Sequence, residues 1–503
     1  VPRTAFHVLL AVLAALDLLI LGVRLASIVP GADVTLFSAE GPVLYAIWKI
    51  RHGYPLYEWP TAAPYAVTYY NVLFYETYAR VFSLFRVADA ATPLAGRFIT
   101  LAWLAAAVGV QYAIARRLLR GVSRSRLLPA LMAAVAWTGC VLPGWWALSI
   151  RPDIAAMTCA LCGVYASIRV FSGAGQMWLI AAGLAFFTAW TFKQSDVALF
   201  AATACYVILW RRSLSETLML VMPFAAGAAI VFAAGGAVFR ANVVFAPSIN
   251  PLLPSAAVYW FRSAVFTNAL FWTATGATAL LLAPALIRVI RDPSAAARRS
   301  DALFGVDLTY LTLAAIFSFA ADAVLLSKVG SALNHLLELH SVGALITAVV
   351  MGSVLAGART RTAVVAAAAF AIVPMIASDL ARFHREAGTL LPALHGADPA
   401  TADRRAVAAL VATLPKPIYA EDDLFALPWF ATGNRYPTVI IDPIFHDMAQ
   451  AKGLLGPGID GMILDHRFAA IVIPPSSPRM PAALRAGYHP EGSREGGLQL
   501  LLR

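Results

Sequence analysis

Two acidic residues, Asp33 and Glu40, directly follow the first long apolar run of the chain, and three polar knots interrupt or border later runs. The knots are Arg151-Pro152-Asp153, Lys193-Gln194-Ser195-Asp196, and the stretch 328–341 with Asn334, His335 and Glu338. A carboxylate at the edge of an apolar layer is poorly hydrated, which raises its basicity toward that of a general base. As plain loop chemistry the same two are solvated carboxylates, Glu40 lying in the first turn of a helix begun after Ser38. A lysine at a membrane boundary is costly enough to mark a site, and its compact charge suits a phosphate oxygen. Lys193 has that position, and it is one of only five lysines among 38 basic residues. Arg151 offers a second phosphate contact with Asp153 spaced to hold it, although a structural ion pair at a helical junction accounts for both residues equally. Asn334 and Glu338 share one helix face, suited to hydrogen bonding a sugar or pyrophosphate, and His335 is offset from it. His335 and Glu338 also have the spacing of a metal pair, but no third or fourth ligand can be named, so no cofactor is expected and a divalent metal stays optional and unsupported. Tyr57, Tyr69 and Tyr70 are rings on which a sugar can stack, and equally rings of a headgroup belt.

The elements that must carry these residues follow from composition. The chain has 503 residues, 60% of them hydrophobic and 13% charged, with a mean hydropathy of +0.74. Soluble domains run about 45–50% apolar and about 25% charged, so a cytosolic enzyme, a disordered chain and a secreted disulfide scaffold are excluded. The chain reads as a mainly α, polytopic membrane protein of about 11 spans. These lie near 5–29, 97–115, 127–148, 152–171, 177–192, 196–210, 217–239, 264–287, 305–326, 336–357 and 362–380. The first run is too long for a signal-peptide core and reads as a retained helix, with Asp17 and Arg24 structural. Cys140, Cys159, Cys162 and Cys205 all sit in apolar runs and read as buried small hydrophobes.

With a cytoplasmic N-terminus, arginines 116, 117, 120, 124, 126, 169, 211, 212, 288, 291, 298, 299, 359 and 361 fall on the inner side. The short outer loops hold only Arg151, Lys193, Arg240, Arg262 and Lys328. Much of the net charge of +11 is therefore orientation signal, and no nucleic-acid partner is expected. Two long segments then share the outer side, 30–96 and 381–503. In the first, apolar positions 43, 44, 47, 48 and 50 suggest an amphipathic helix along the interface, with a second interfacial segment over 65–75. Trp48, Tyr54, Tyr57 and Trp59 suit the headgroup belt. In the second, runs at 417–420, 438–442 and 469–473 read as short buried strands of a small, partly parallel α/β domain, with helices near 403–414, 423–431 and 445–453. Glu421, Asp422 and Asp442 at strand ends read as turn and cap residues. The expected division is a membrane domain over 1–380 and an outer domain over 381–503.

The stretch Glu40-Gly41…Gly53-Tyr54-Pro55-Leu56-Tyr57 resembles the first-outer-loop pattern of the GT-C membrane glycosyltransferases, in the bacterial branch of protein-mannosyltransferases and aminoarabinose transferases. The resemblance implies a polyprenyl-phosphate-linked sugar donor, a catalytic carboxylate just after the first span (Asp33 or Glu40), and a basic group at the Lys193 turn meeting the lipid phosphate. Arg151 and His335 would assist at that phosphate, and Tyr57, Tyr69, Tyr70, Asp153, Gln194, Asn334 and Glu338 would line the substrate path. The expected activity is inverting transfer to a hydroxyl of a lipid, glycan or protein at the outer face of a bacterial inner membrane. A flippase for a lipid-linked sugar would show repeats and ionisable residues near the bilayer midplane, whereas the polar knots here gather at one surface. A non-catalytic assembly subunit that has kept the fold is the other alternative.

Overall fold

The computed structural model describes residues 3–29, 40–62, 65, 67–121, 146, 148–267, 308–356, 375–390, 417–420, 443–491 and 499–503, with isolated positions within 127–133 and 405–415. In lipid each backbone polar group must be satisfied within the chain, so the long apolar runs become helices. Five helical stretches of the described residues are long and apolar enough to cross a membrane: His7–Ser27, Asp89–Leu118, Asp153–Phe171, Leu214–Ile249 and Thr309–Leu326. Trp178–Phe192 and Ala198–Arg211 are shorter apolar helices, and Leu337–Ala356 is a further helix of 20 residues. The expected spans 127–148, 264–287 and 362–380 lie wholly or largely outside the described residues.

The helix Asp153–Phe171 is the hub of the bundle. Pro152 precedes it and Asp153 stands in its first turn, where a carboxylate complements the helix dipole. Its residues from Asp153 to Leu161 are all buried. Small residues set the packing distances: a β-carbon at Gly163 would lie 2.7 Å from the Phe186 ring, and one at Gly183 would run into the Leu220 carbonyl. Cys159 is buried, but Cys162 is exposed, contrary to expectation, because it lies on the side of this helix turned away from its neighbours. Cys140 lies outside the described residues.

Leu214–Arg240 starts on a serine N-cap, the Ser213 hydroxyl accepting from Glu216 N, while the Glu216 carboxylate pairs with Arg211. It kinks at Gly236, whose φ of 67° only glycine adopts cheaply. It then widens into π-helical turns over Ala241–Phe245 and ends at Ile249. The first helix is tied to residues 375–390 by Arg24, which donates to both Glu386 oxygens at 2.7 and 2.6 Å. Asp17 is buried on the same helix, in keeping with a structural role for both residues.

The first outer segment differs from the interfacial helix expected of it. Glu40–Arg51 is helical, yet every residue from Glu40 to Lys49 except Pro42 is buried, so the helix is packed inside protein. Its polar positions are matched internally: Lys49 Nζ donates to the Leu56 carbonyl at 2.9 Å and lies 3.2 Å from Glu58. Trp48 stacks on Tyr45, His52 and Tyr54 in place of lipid headgroups, while Trp59 stays half exposed. Val72–Leu84 follows, burying Phe74, Tyr75, Tyr78 and Phe82.

Near the C-terminus a four-stranded sheet has the order β1-β2-β4-β3, with β1 Ile418–Ala420, β2 Ala470–Ile473, β3 His489–Pro490 and β4 Gln499–Leu502. β1 runs parallel to β2, and β4 is antiparallel to both β2 and β3. The expected strand at 438–442, most of the expected helices 403–414 and 423–431, and Glu421, Asp422 and Asp442 lie outside the described residues. Helices Pro443–Ala451, Gly458–Leu464 and Met480–Arg485 complete the small domain. Its core takes in Tyr65 of the first outer segment and Ala246 and Ile249 of the membrane bundle, so the sheet domain sits directly on both.

Candidate active site

The polar knots converge on one cavity of about 680 Å³. Each wall comes from an element end, where the chain leaves regular structure and polar groups are free to face inward. Arg151 precedes the hub helix, and Lys193 caps the C-terminus of Trp178–Phe192 in extended conformation. Asn334 and His335 lie in the single 3₁₀ turn Leu333–Leu336 that opens the helix Leu337–Ala356. Tyr69 and Tyr70 lead into Val72–Leu84, and Lys328 follows the helix Leu308–Leu326. All seven line the cavity, with Gln194, Trp146 and Trp190.

Beneath the cavity floor, Asp153 organises the cations. Its Oδ1 lies 2.9 Å from Lys193 Nζ and accepts from Asn334 Nδ2 at 2.6 Å, and its Oδ2 accepts from Arg151 Nε at 3.2 Å. Lys193 also reaches Asp196 Oδ1 at 3.1 Å. Arg151 donates to the Tyr70 hydroxyl at 2.9 Å, and its guanidinium lies 4.3 Å from the centre of the Trp146 ring. Burial works against the charge on Lys193, but Asp153 and Asp196 outweigh it and hold the ammonium above its ordinary value. Tyr70 is pushed up by burial, so its hydroxyl keeps its proton. His335 is pushed down to about 3, first by burial and then by the Lys193 charge, so it faces the cavity as a neutral imidazole.

The tyrosine strap over this floor is held from several sides. Gln194 Nε2 donates to the Tyr69 carbonyl at 2.6 Å, and Tyr57 donates its hydroxyl proton to the Tyr70 carbonyl at 2.8 Å. Asn242, in the π-helical turn, accepts from Thr68 N at 2.9 Å and donates to the Glu58 carbonyl at 2.7 Å. Tyr57 therefore braces the site from behind. Glu338 is buried and is absent from the cavity lining.

Glu40 stands apart from this wall. It and Arg97 are both 0% exposed, joined by two bonds of 3.2 and 2.7 Å, and Glu40 Oε1 also accepts from Ile150 N at 3.2 Å. The Ser149 carbonyl accepts from Thr100, which bonds Tyr78. Glu40 thus anchors the turn that presents Arg151. Asp33 lies outside the described residues. Among the described residues no three His, Cys, Asp or Glu side chains gather to hold a metal ion.

Lys328 and Trp190, which line the cavity, and Arg97, which holds Glu40, are residues to which motif spacing gave no role. Lysine scarcity could have found the first, since Lys328 is the only lysine between Lys193 and Lys416. An arginine at the head of an apolar run could have flagged Arg97.

No protein-family model matches the chain, and no characterised protein matches it by sequence. Solved structures do. The crystal structure of ArnT from Cupriavidus metallidurans bound to undecaprenyl phosphate aligns with a TM-score of 0.57 at 12% identity, covering 96% of this chain and 97% of that one. The apo structure of the same protein aligns at 0.55 and 13%, with the same coverage. This chain has the ArnT fold. ArnT is a GT-C aminoarabinose transferase, so the architecture implied by the first outer loop is the one found, a helical membrane protein with a small C-terminal domain. Likeness across nearly the whole ArnT chain at so low an identity means that helix packing has been retained while most side chains have changed.

Proposed function

We propose that this protein is an inverting, polyprenyl-phosphate-sugar-dependent glycosyltransferase that moves a sugar to an acceptor hydroxyl at the outer face of the membrane. The observation that carries the reading is the cavity itself. Its wall holds Arg151, Lys193 and Lys328, with aromatic rings and amides around them and, among the described residues, no aspartate or glutamate. An anion flanked by a sugar fits that lining, and the neighbour of the same fold was crystallised with undecaprenyl phosphate.

In the proposed step the acceptor oxygen attacks the anomeric carbon while its proton passes to a carboxylate. The bond from the anomeric carbon to the phosphate oxygen breaks, and its electron pair leaves on the lipid phosphate. The cations of the cavity stabilise that departing charge. A phosphate is a weak base, so no side chain need protonate it as it leaves. We assign the proton-accepting role to Asp33, because both oxygens of Glu40 are engaged by Arg97. Tyr69, Tyr70, Gln194 and Asn334 are assigned to sugar and phosphate contacts. The arginine distribution supports a cytoplasmic N-terminus and an outer C-terminal domain in a bacterial inner membrane. The acceptor is a lipid, glycan or protein hydroxyl.

Incubating the purified chain with labelled polyprenyl-phosphate sugar and an envelope extract tests the reading. Release of free polyprenyl phosphate with label in a new product is expected. Movement of intact donor across a vesicle membrane, with no release, would assign the chain to transport instead.

A further inference from the structure

The cations of the cavity are not equivalent. Arg151 and Lys193 share Asp153, and Lys193 also holds Asp196. Two cations are thus set against two carboxylates, with Lys193 and Asp153 buried and Arg151 and Asp196 partly so, an arrangement that stays stable only while the groups remain paired. Lys328 differs, because among the described residues it has no carboxylate and no side-chain hydrogen-bond partner. It is half-buried, and burial holds its ammonium below the ordinary lysine value, as expected of a cation lacking its anion.

Its position is nevertheless built. The turn 327–331 is pinned to 250–253: Leu253 N donates to the Ser327 carbonyl at 2.6 Å, Val329 N to the Pro251 carbonyl at 3.1 Å, and Asn250 Nδ2 to the Val329 carbonyl at 3.0 Å. Leu252 and Lys328 form an isolated antiparallel bridge across the same pair of segments. A backbone fixed on both sides presents the lysine at the cavity wall. On the same wall, His335 has a buried Nδ1 with no hydrogen-bond partner among the described residues.

We propose that Lys328 is the anchor for the ionised oxygen of a phosphate-bearing lipid in this cavity, with His335 as its hydrogen-bonding companion, while Arg151 and Lys193 remain paired as a rigid floor. One uncompensated cation matches the single charge of a sugar-linked lipid phosphodiester and attracts a lipid phosphate monoester at least as strongly, because buried charge is tolerated when it is neutralised by a partner. The inference deepens the transferase reading and rests on it for the lipid; the anion chemistry stands on the cavity alone.

The test is binding of farnesyl phosphate, farnesol and inorganic phosphate to the full-length protein in detergent, read by quenching of tryptophan fluorescence. Trp146 and Trp190 line the cavity and report on occupancy. Lys328→Met and Lys328→Gln, each first shown to unfold at the wild-type temperature, should weaken farnesyl phosphate about 10- to 100-fold, the loss of one charge-assisted contact. Lys328→Arg should stay within about threefold, since the charge is kept. Farnesol should bind all variants alike, and inorganic phosphate should displace the lipid from wild type only in large excess. Wild-type affinity in both neutral variants overturns the inference, as does a wild-type protein that binds neither phosphate compound. Equal potency of inorganic phosphate and farnesyl phosphate overturns the lipid assignment. A charge-dependent loss at Lys328 in a protein that transfers no sugar would keep the anchor and remove the transferase reading, so the two fail separately.

Discussion

The Lys193 ammonium sits 2.9 Å from Asp153 Oδ1, tying the end of one apolar helix to the first residue of the hub helix. Asp153 is itself 0% exposed and carries Arg151 and Asn334 as well, so one carboxylate fixes three groups of the cavity. Asp153→Asn should therefore disorganise the floor. Removing one member of a buried ionic set leaves the others uncompensated, at a cost of about 3–5 kcal/mol. Thermal unfolding in detergent should fall accordingly, and sugar transfer should drop by at least about 100-fold through loss of both cations' placement. Unchanged unfolding and turnover in this variant would mean that Lys193 and Arg151 are held by something else.

Glu40 and Asp33 should separate cleanly. Glu40→Gln leaves Arg97 buried without its charge partner and should destabilise the protein by about 3–5 kcal/mol, seen as a lower unfolding temperature. Asp33→Asn should leave unfolding and farnesyl phosphate binding unmoved while transfer disappears. Normal turnover by Asp33→Asn would sink the assignment of Asp33 as base.

His335 gives a pH signature. Its folded value is pushed down to about 3 by burial and by Lys193, with Asp153 opposing and Arg151 and Lys328 adding to the depression. In the unfolded chain a histidine takes up its proton near pH 6.5. Between those values the unfolded state binds a proton that the folded state refuses. The stability contribution is therefore complete above about pH 6.5 and is lost as pH falls toward 3, by at most about 1.4 kcal/mol per pH unit. Unfolding temperatures measured from pH 7.5 down to pH 4.5 should decline, and His335→Gln should flatten the decline.

Gly183→Ala tests the packing that brings Lys193 to the cavity. Its β-carbon would meet the Leu220 carbonyl, a backbone atom that cannot swing aside. The helices Trp178–Phe192 and Leu214–Arg240 should be forced apart at a cost of about 1–3 kcal/mol. Gly175→Ala, with open space around its β-carbon, is the control and should leave unfolding nearly unchanged.

Much of the membrane architecture was legible in sequence because a span has to be continuous and apolar, and that is a local property. The runs at 5–29, 152–171 and 305–326 became the helices Arg3–Ser27, Asp153–Phe171 and Leu308–Leu326. The knots at Arg151, Lys193 and Asn334-His335 were visible for the same reason, as costly polar groups where apolar residues would be expected. Strands β3 and β4 went unseen: His489–Pro490 is two residues with no apolar run, and Gln499–Leu502 pairs with β2 only through the tertiary fold. The helix Glu40–Arg51 misled by its apolar stripe, which suggested an interfacial position, yet Glu58, nine residues on, pairs with Lys49 in the interior.

By itself, the amino-acid sequence determined the solvent of this protein, the run of its helices and the short catalogue of polar residues that had to be accounted for. Hydration cost acts residue by residue, so those facts survive without coordinates. What only the tertiary structure decided was pairing. Glu40 and Lys193 looked alike as isolated ionisable groups beside apolar runs. Folding gave Glu40 to Arg97 and placed Lys193 between Asp153 and Asp196 at a cavity wall. Among the described residues it left Lys328 without a carboxylate on that same wall. Charge compensation depends on which distant segments meet, and no local pattern carries that information.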